Sequence, residues 1–169
     1  NSSTATDINR VVFADAQNGW AVGEGGVLLR STNGGVSWTP AATGTVNGLE
    51  GIDVSGTAVI AVGIFGDIIR STNGSTFGMI TSGFRGTVNA VCAAPPSSAW
   101  AVGSGGLIMN STSGGQWWSQ QYSGTTEALF AVDNINGSTI VACGNGGLIL
   151  RSVNGGQSWS GVPSGVGVA

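Results

Sequence analysis

The side chains able to titrate or attack are few: eight carboxylates, five arginines, two cysteines and one tyrosine among 169 residues, with no histidine and no lysine. Without histidine the usual general base, the commonest metal ligand and every Ser-His or Cys-His pair are missing. Carboxylates alone can run glycoside hydrolysis, which needs two of them about 5–9.5 Å apart. Asp15, Glu24, Glu50, Asp53, Asp67, Glu127 and Asp133 fall at unlike positions of the repeat described below, so no such pair is expected. The single tyrosine, Tyr122, is expected on a fourth strand or outer loop. The chain therefore reads as non-catalytic, without metal or cofactor. Cys92 and Cys143 occupy dissimilar repeat positions, which argues against a zinc motif. Buried thiols are the expectation, and a disulfide between them would suit an oxidising compartment.

These residues are set in a tandem repeat. The segment Trp20-Ala-Val-Gly-Glu-Gly-Gly-Val-Leu-Leu-Arg-Ser-Thr-Asn-Gly-Gly-Val-Ser-Trp38 returns from Ile60 to Phe77, from Trp100 to Trp118 and from Val141 to Trp159. Its anchor glycines, Gly23, Gly63, Gly103 and Gly144, are spaced by 40, 40 and 41 residues. Each copy holds short Val/Ile/Leu and aromatic runs parted by Gly/Asn/Ser clusters, the signature of strands and turns. In the first copy the strands are expected at Asn9–Ala14, Gly19–Val22, Val27–Ser31 and Trp38–Ala41. No glycine-free segment carries a 3.6-residue period, so essentially no helix is expected. Four antiparallel strands in about 40 residues make one propeller blade. The reading is an all-β, four-bladed propeller in one domain, 1–169, with blades near 7–45, 46–86, 87–126 and 127–165 and short arms at 1–6 and 166–169. Four blades would close into a tight ring, and either arm would seal it or add a strand to a neighbouring sheet.

Ser31-Thr-Asn-Gly-Gly-Val-Ser-Trp38 and Ser152-Val-Asn-Gly-Gly-Gln-Ser-Trp159 resemble the Asp-box, or BNR, repeat Ser-x-Asp-x-Gly-x-Thr-Trp. With the preceding Gly-Trp-Ala-Val-Gly-x-x-Gly-x-Leu-x-Arg they are most similar to the photosystem II assembly-factor-like propellers. The resemblance implies structural turns at Ser31, Asn33, Gly35 and Trp38, at Ser71, Asn73 and Phe77, at Ser111, Gly115 and Trp118, and at Ser152, Asn154, Gly156 and Trp159. The serine and Asn/Asp side chains bridge a tight turn that the closing aromatic covers. Asn33, Asn73, Ser113 and Asn154 replace the box aspartate, which removes the charge a hard cation requires.

Arg30, Arg70 and Arg151 recur at one third-strand position, with Asn110 in the third copy. Their stems are expected between blades and their heads on a carboxylate or carbonyl. The alternative is a partner-binding ring of arginines, or a patch around Trp117 and Arg85 on one face. A net charge of −3 with only five basic residues argues against nucleic acid. The longest apolar run, 58–65, is far short of the roughly 20 residues that span a bilayer. Charged residues make up 8% of the chain and mean hydropathy is +0.26, which makes for a surface that resists association poorly. Together with an initial residue that is not methionine, this suggests an exported, extracellular or cell-surface protein. The expected role is a structural or adhesive subunit that associates with copies of itself, forming a homo-oligomer or fibre. The alternative is a monomeric protein- or glycan-binding propeller or assembly factor. Asn1, Asn73, Asn110 and Asn136 match the glycosylation acceptor pattern.

Overall fold

A computed structural model describes residues 5–165. It contains four antiparallel sheets, each of four strands in sequential order. The first blade is β1 (Ile8–Phe13), β2 (Gly19–Gly23), β3 (Leu28–Ser31) and β4 (Thr39–Pro40). The second is β5 (Leu49–Ser55), β6 (Ala58–Gly63), β7 (Asp67–Ser71) and β8 (Gly78–Thr81). The third is β9 (Val88–Ala94), β10 (Ser98–Gly103), β11 (Ile108–Ser111) and β12 (Ser119–Gln121). The fourth is β13 (Leu129–Asn134), β14 (Ile140–Gly144), β15 (Ile149–Ser152) and β16 (Ser160–Val162). The four-blade, all-β expectation holds. Helical geometry is confined to single 3-10 turns at 24–26, 64–66, 104–106 and 145–147, where simple hairpin turns were expected. The expected first-blade strands are displaced slightly, because Val27 caps its 3-10 turn and Trp38 belongs to the box. Residues 1–4 and 166–169, which carry most of the expected arms, lie outside the described residues.

The second strands of the first three blades are apolar without alternation because both faces are covered: every residue of β2 is buried, as are nearly all of β6 and β10. The outermost strands β4, β8, β12 and β16 are mostly exposed. The anchor glycines have a steric cause. A Cβ on Gly23, Gly63, Gly103 or Gly144 would lie 2.0–2.2 Å from a carbonyl oxygen of Asp7, Gly48, Thr87 or Ala128. The same four carbonyls accept the N–H of the next residue, Glu24, Ile64, Ser104 or Asn145. Each first strand is thereby tied to the 3-10 turn of its own blade.

Successive blades stack through their first strands, β1 on β5, β5 on β9 and β9 on β13. Ile60, Val62 and Ile68 of the second blade, for example, pack on Val91, Ala101 and Met109 of the third. Among the described residues no interface of that extent joins β13 back to β1. Val11 is 58% exposed where its counterparts Ile52 and Val91 are 8% and 7%. Cys143 is exposed where Val22, Val62 and Val102 are fully buried. The expected tight ring is therefore corrected to an open arc.

Candidate functional site

The box turns engage their polar atoms within themselves. Ser31 Oγ donates to Asn33 Oδ1 at 3.0 Å and accepts the Gly35 N–H at 2.9 Å. Asn33 Oδ1 accepts the Ser37 N–H at 2.9 Å, and Trp38 Nε1 donates to the Gly35 carbonyl at 3.1 Å. The fourth blade repeats this, with Ser152 on Asn154 and Gly156, and Asn154 on Ser158. In the third, Ser113 replaces the amide and takes the Trp117 N–H at 2.8 Å, while Trp118 reaches the Gly115 carbonyl at 2.9 Å. In the second, Ser71 bonds Asn73, whose Oδ1 takes the Ser75 and Thr76 N–H groups. Phe77, which has no N–H to give, is partly buried against the core cluster that includes Trp20, Val22 and Leu28. Trp159 departs by donating to Gln121 of the third blade.

Arg30, Arg70 and Arg151 form no surface ring. The Arg30 guanidinium donates to Ser75 Oγ at 2.8 Å and Arg70 Nε to the Gly114 carbonyl, each on the box turn of the following blade. Among the described residues Arg30 Nε is buried without a partner. Trp20 and Trp100 reach the same kind of target, the carbonyls of Gly74 and Gly155, at 2.9 and 3.3 Å. Asn110 turns back to Ala99 of its own blade. Arg151, in the last blade, is exposed. Trp117, 73% exposed, belongs to a box turn, whereas Arg85 lies beside the 3-10 turns at the other end of the strands, so the two share no patch.

Two depressions open at the axis. At the 3-10 end each first strand shifts register after its first residue, a bulge that leaves one residue unpaired and redirects it. The four residues so released, Asn9, Glu50, Asn89 and Phe130, line with Arg10 a depression of about 310 Å³. At the opposite end Asp53, Cys92 and Asp133 share a depression of about 440 Å³. These three hold one register position, paired with Ile60, Trp100 and Val141. That corrects the expectation of unlike positions for Asp53 and Asp133, while the other carboxylates do not share this register. Counted from the anchor glycines, Cys92 and Asp133 each stand 11 residues ahead and Asp53 10, because the hairpin that turns at Gly56–Thr57 is one residue shorter.

Asp53 Oδ1 accepts the Val54 N–H at 2.8 Å and Oδ2 the Ala93 N–H at 2.7 Å, so both oxygens are engaged in backbone bonds. Burial pushes its carboxyl above the ordinary range against those bonds, with a further push from Asp133. Cys92 faces Asp133 Oδ1 at 3.8 Å, and burial, then the charges of Asp53 and Asp133, push its thiol up to about 12. Both cysteines are free, and only Cys92 is buried, which corrects the expectation for Cys143. Since the thiolate is the reactive form, a disulfide reagent at pH 8 is expected to titrate Cys143 at once and Cys92 only after denaturant is added. Two equally fast thiols by absorbance would refute the burial of Cys92.

A third feature was not legible as a site in the sequence. Phe65 has φ 58°, and it is the one non-glycine residue with positive φ among the described residues. Gly25, Gly105 and Gly146 hold the same position in the other blades. A phenylalanine held there costs about 1–3 kcal/mol, yet its ring is 66% exposed. With Met79, Phe84 and Arg85 it lines a pocket of about 280 Å³ over Gly66 and Asp67. Met79 is 50% exposed. Asp67 is committed below, accepting from Thr45 Oγ1 at 2.6 Å and Asn47 Nδ2 at 3.1 Å. The signal that could have revealed Phe65 is a bulky residue in a turn slot that glycine fills in three copies of four.

No protein-family model and no curated protein matches the chain. Solved structures do. A YCF48 structure bound to D1 peptide matches with TM-score 0.62 and 16% identity, over 95% of this chain and 82% of that one. YCF48 from Cyanidioschyzon merolae matches with TM-score 0.76 and 23% identity, over 95% of this chain and 57% of that one. The GH74 enzyme of Niastella koreensis matches with TM-score 0.70 and 22% identity, over 96% of this chain and 25% of that one. At these identities the likeness establishes the β-propeller fold. The chain spans about four fifths, just over half and a quarter of those three structures.

Proposed function

We propose that the chain is a non-catalytic, protein-binding propeller of the Asp-box type, which holds an extended peptide in the pocket of Phe65, Met79, Phe84 and Arg85. The observation that carries the reading is the strained, exposed Phe65. A fold that loses stability at one turn, where three sister turns use glycine, retains that residue for a purpose other than folding. The chemistry of the pocket suggests its ligand: two exposed apolar side chains for an apolar anchor, and an exposed guanidinium for a neighbouring carboxylate. The peptide carried by one YCF48 structure is a precedent for this class of partner on this fold. Against an active site, both oxygens of Asp53 are consumed by backbone N–H groups.

The experiment is a peptide-array or display selection followed by fluorescence anisotropy. Phe65→Gly should raise thermal stability, by about 1 kcal/mol on removal of the left-handed strain, while weakening the selected peptide at least tenfold. Arg85→Ala should weaken it only where the peptide carries a carboxylate. Unchanged affinity in both variants would remove the pocket from consideration. A second reading, a structural subunit assembling outside the cell, draws on the lysine-free, charge-poor composition.

A further inference from the structure

The pocket of Phe65 borders an open sheet edge, and that edge departs from its counterparts just as Phe65 does. Among the described residues β8 ends the second sheet, with no strand beyond it. Ladder geometry shows which of its backbone groups are spare. In the first blade the Ala41 N–H donates to the Leu28 carbonyl at 2.8 Å, so Ala41 faces β3 and Pro40, paired with Leu29, faces outward, because hydrogen-bonded and non-hydrogen-bonded pairs alternate along an antiparallel ladder. Register carries this to the second blade. Ile68 and Ile69 hold the places of Leu28 and Leu29, so Ile80 faces β7 while Met79 and Thr81 turn N–H and carbonyl away from the sheet.

Open edges invite pairing with a foreign strand and are ordinarily blunted by proline, by charge or by shortness. The other described outer strands are guarded in these ways. Pro40 takes the outward place of Met79 in β4, and Pro163 follows β16 at the place of Thr81. β12 spans only Ser119–Gln121, with Gln120 as its outward residue. β8 is the longest of the four, Gly78-Met79-Ile80-Thr81, and carries neither proline nor charge. The strained Phe65 and the unguarded β8 thus fall on one blade and border one pocket. That blade has a neighbour on either side, stacked through β5, and β8 lies at the far side of the sheet from β5.

We infer that the peptide held by this pocket adds to β8 as a fifth strand, pairing its backbone with Met79 and Thr81; the inference rests on the pocket reading above. Main-chain bonds then supply affinity independent of sequence, and the side chains on one face of the peptide, at every second residue, meet the pocket. The partner is an extended segment of another protein that carries an apolar residue and a carboxylate two residues apart. The apolar side chain lies against Phe65 and Met79, and the carboxylate meets Arg85. Arg85 is the accessible charge of the pocket: it is exposed, whereas Asp67 is 9% exposed and held from below by Thr45 and Asn47. A second copy's β8 carries no carboxylate and leaves that guanidinium unmatched.

The probe is a fluorescein-labelled, C-terminally amidated heptapeptide, Ser-Thr-Leu-Thr-Glu-Thr-Ser, titrated into the full chain and followed by anisotropy. Versions methylated at one backbone nitrogen at a time separate strand addition from side-chain binding, because each loses one N–H and keeps every side chain. Methylation at alternate residues should weaken binding about tenfold or more, and at the intervening residues less than about twofold. By NMR hydrogen exchange, the Met79 and Thr81 amides should be fast in the free protein and slow by about tenfold or more under saturating probe, with Ile80 slow throughout. A flat methylation series for a probe that Phe65→Gly releases overturns strand addition and leaves the pocket standing. A probe that binds Phe65→Gly as tightly as the wild type removes both. No binding at about 1 mM overturns the proposal, as do Met79 and Thr81 amides that are slow in the free protein and quicken on dilution, the mark of a second copy on the edge.

Discussion

Gly103→Ala is expected to abolish cooperative folding or to reduce stability by about 4 kcal/mol or more, whereas Gly78→Ala should change it by less than about 0.5 kcal/mol. The contrast is steric. A Cβ on Gly103 would stand 2.1 Å from the Thr87 carbonyl oxygen and 3.0 Å from Val88 Cα, while one on Gly78 would meet nothing within 4 Å. The obstacle is backbone held on both sides: Thr87 is tied through its carbonyl to the Ser104 N–H at 2.9 Å, and Val88 is fully buried. Relief would require moving β9 off the 3-10 turn, which breaks that bond and exposes Val88. The loss approaches the whole margin of about 5–15 kcal/mol for a domain. Urea denaturation followed by tryptophan fluorescence decides it: similar midpoints for the two variants would show that the anchor glycine is not a contact glycine.

Trp100→Ala should cost about 3–5 kcal/mol, the range for a large aromatic removed from a core. Trp100 is 2% exposed, packs with Ala94 and Ile140, and its Nε1 bonds the Gly155 carbonyl of the next blade at 3.3 Å. The variant loses that burial and leaves the carbonyl without its donor. Val141→Ala makes the same register change on the fourth blade, where the side chain is only half-buried. At low protein concentration it should cost no more than about 1 kcal/mol. Equal losses in the two variants would mean that the fourth blade is covered within a single chain, and the arc would then be closed.

Much of this was legible along the chain because the relevant forces are local. Anchor glycines at a constant spacing mark where backbone must meet backbone, and Ser31-x-Asn33 or Ser152-x-Asn154 closes its turn with atoms only two to four residues apart. The forward-reaching arginines were placed between blades but not given their partners, which are a hydroxyl and a carbonyl some 45 residues away. The site was less legible. Cys92 and Asp133 each stand 11 residues before their anchor glycines and Asp53 only 10 before its own, because the first hairpin of the second blade is one residue shorter, and strand pairing restores the common register. Phe65 passed unremarked in its turn, and its exposure beside Met79 and Arg85 depends on how β8 and the following loop fold over it.

By itself, then, the sequence determined the repeat, the strands, the turns and the number of blades, because each follows from steric and hydrogen-bonding rules acting within about 40 residues. Only the tertiary structure decided whether those blades complete a circle. The angle between neighbours is set where Ile60 or Val62 of one sheet meets Val91 or Ala101 of the next, and no single copy of the repeat encodes it. A small rotation fixed at each of three such interfaces accumulates along the arc, leaving Val11 and Cys143 facing outward at its two ends.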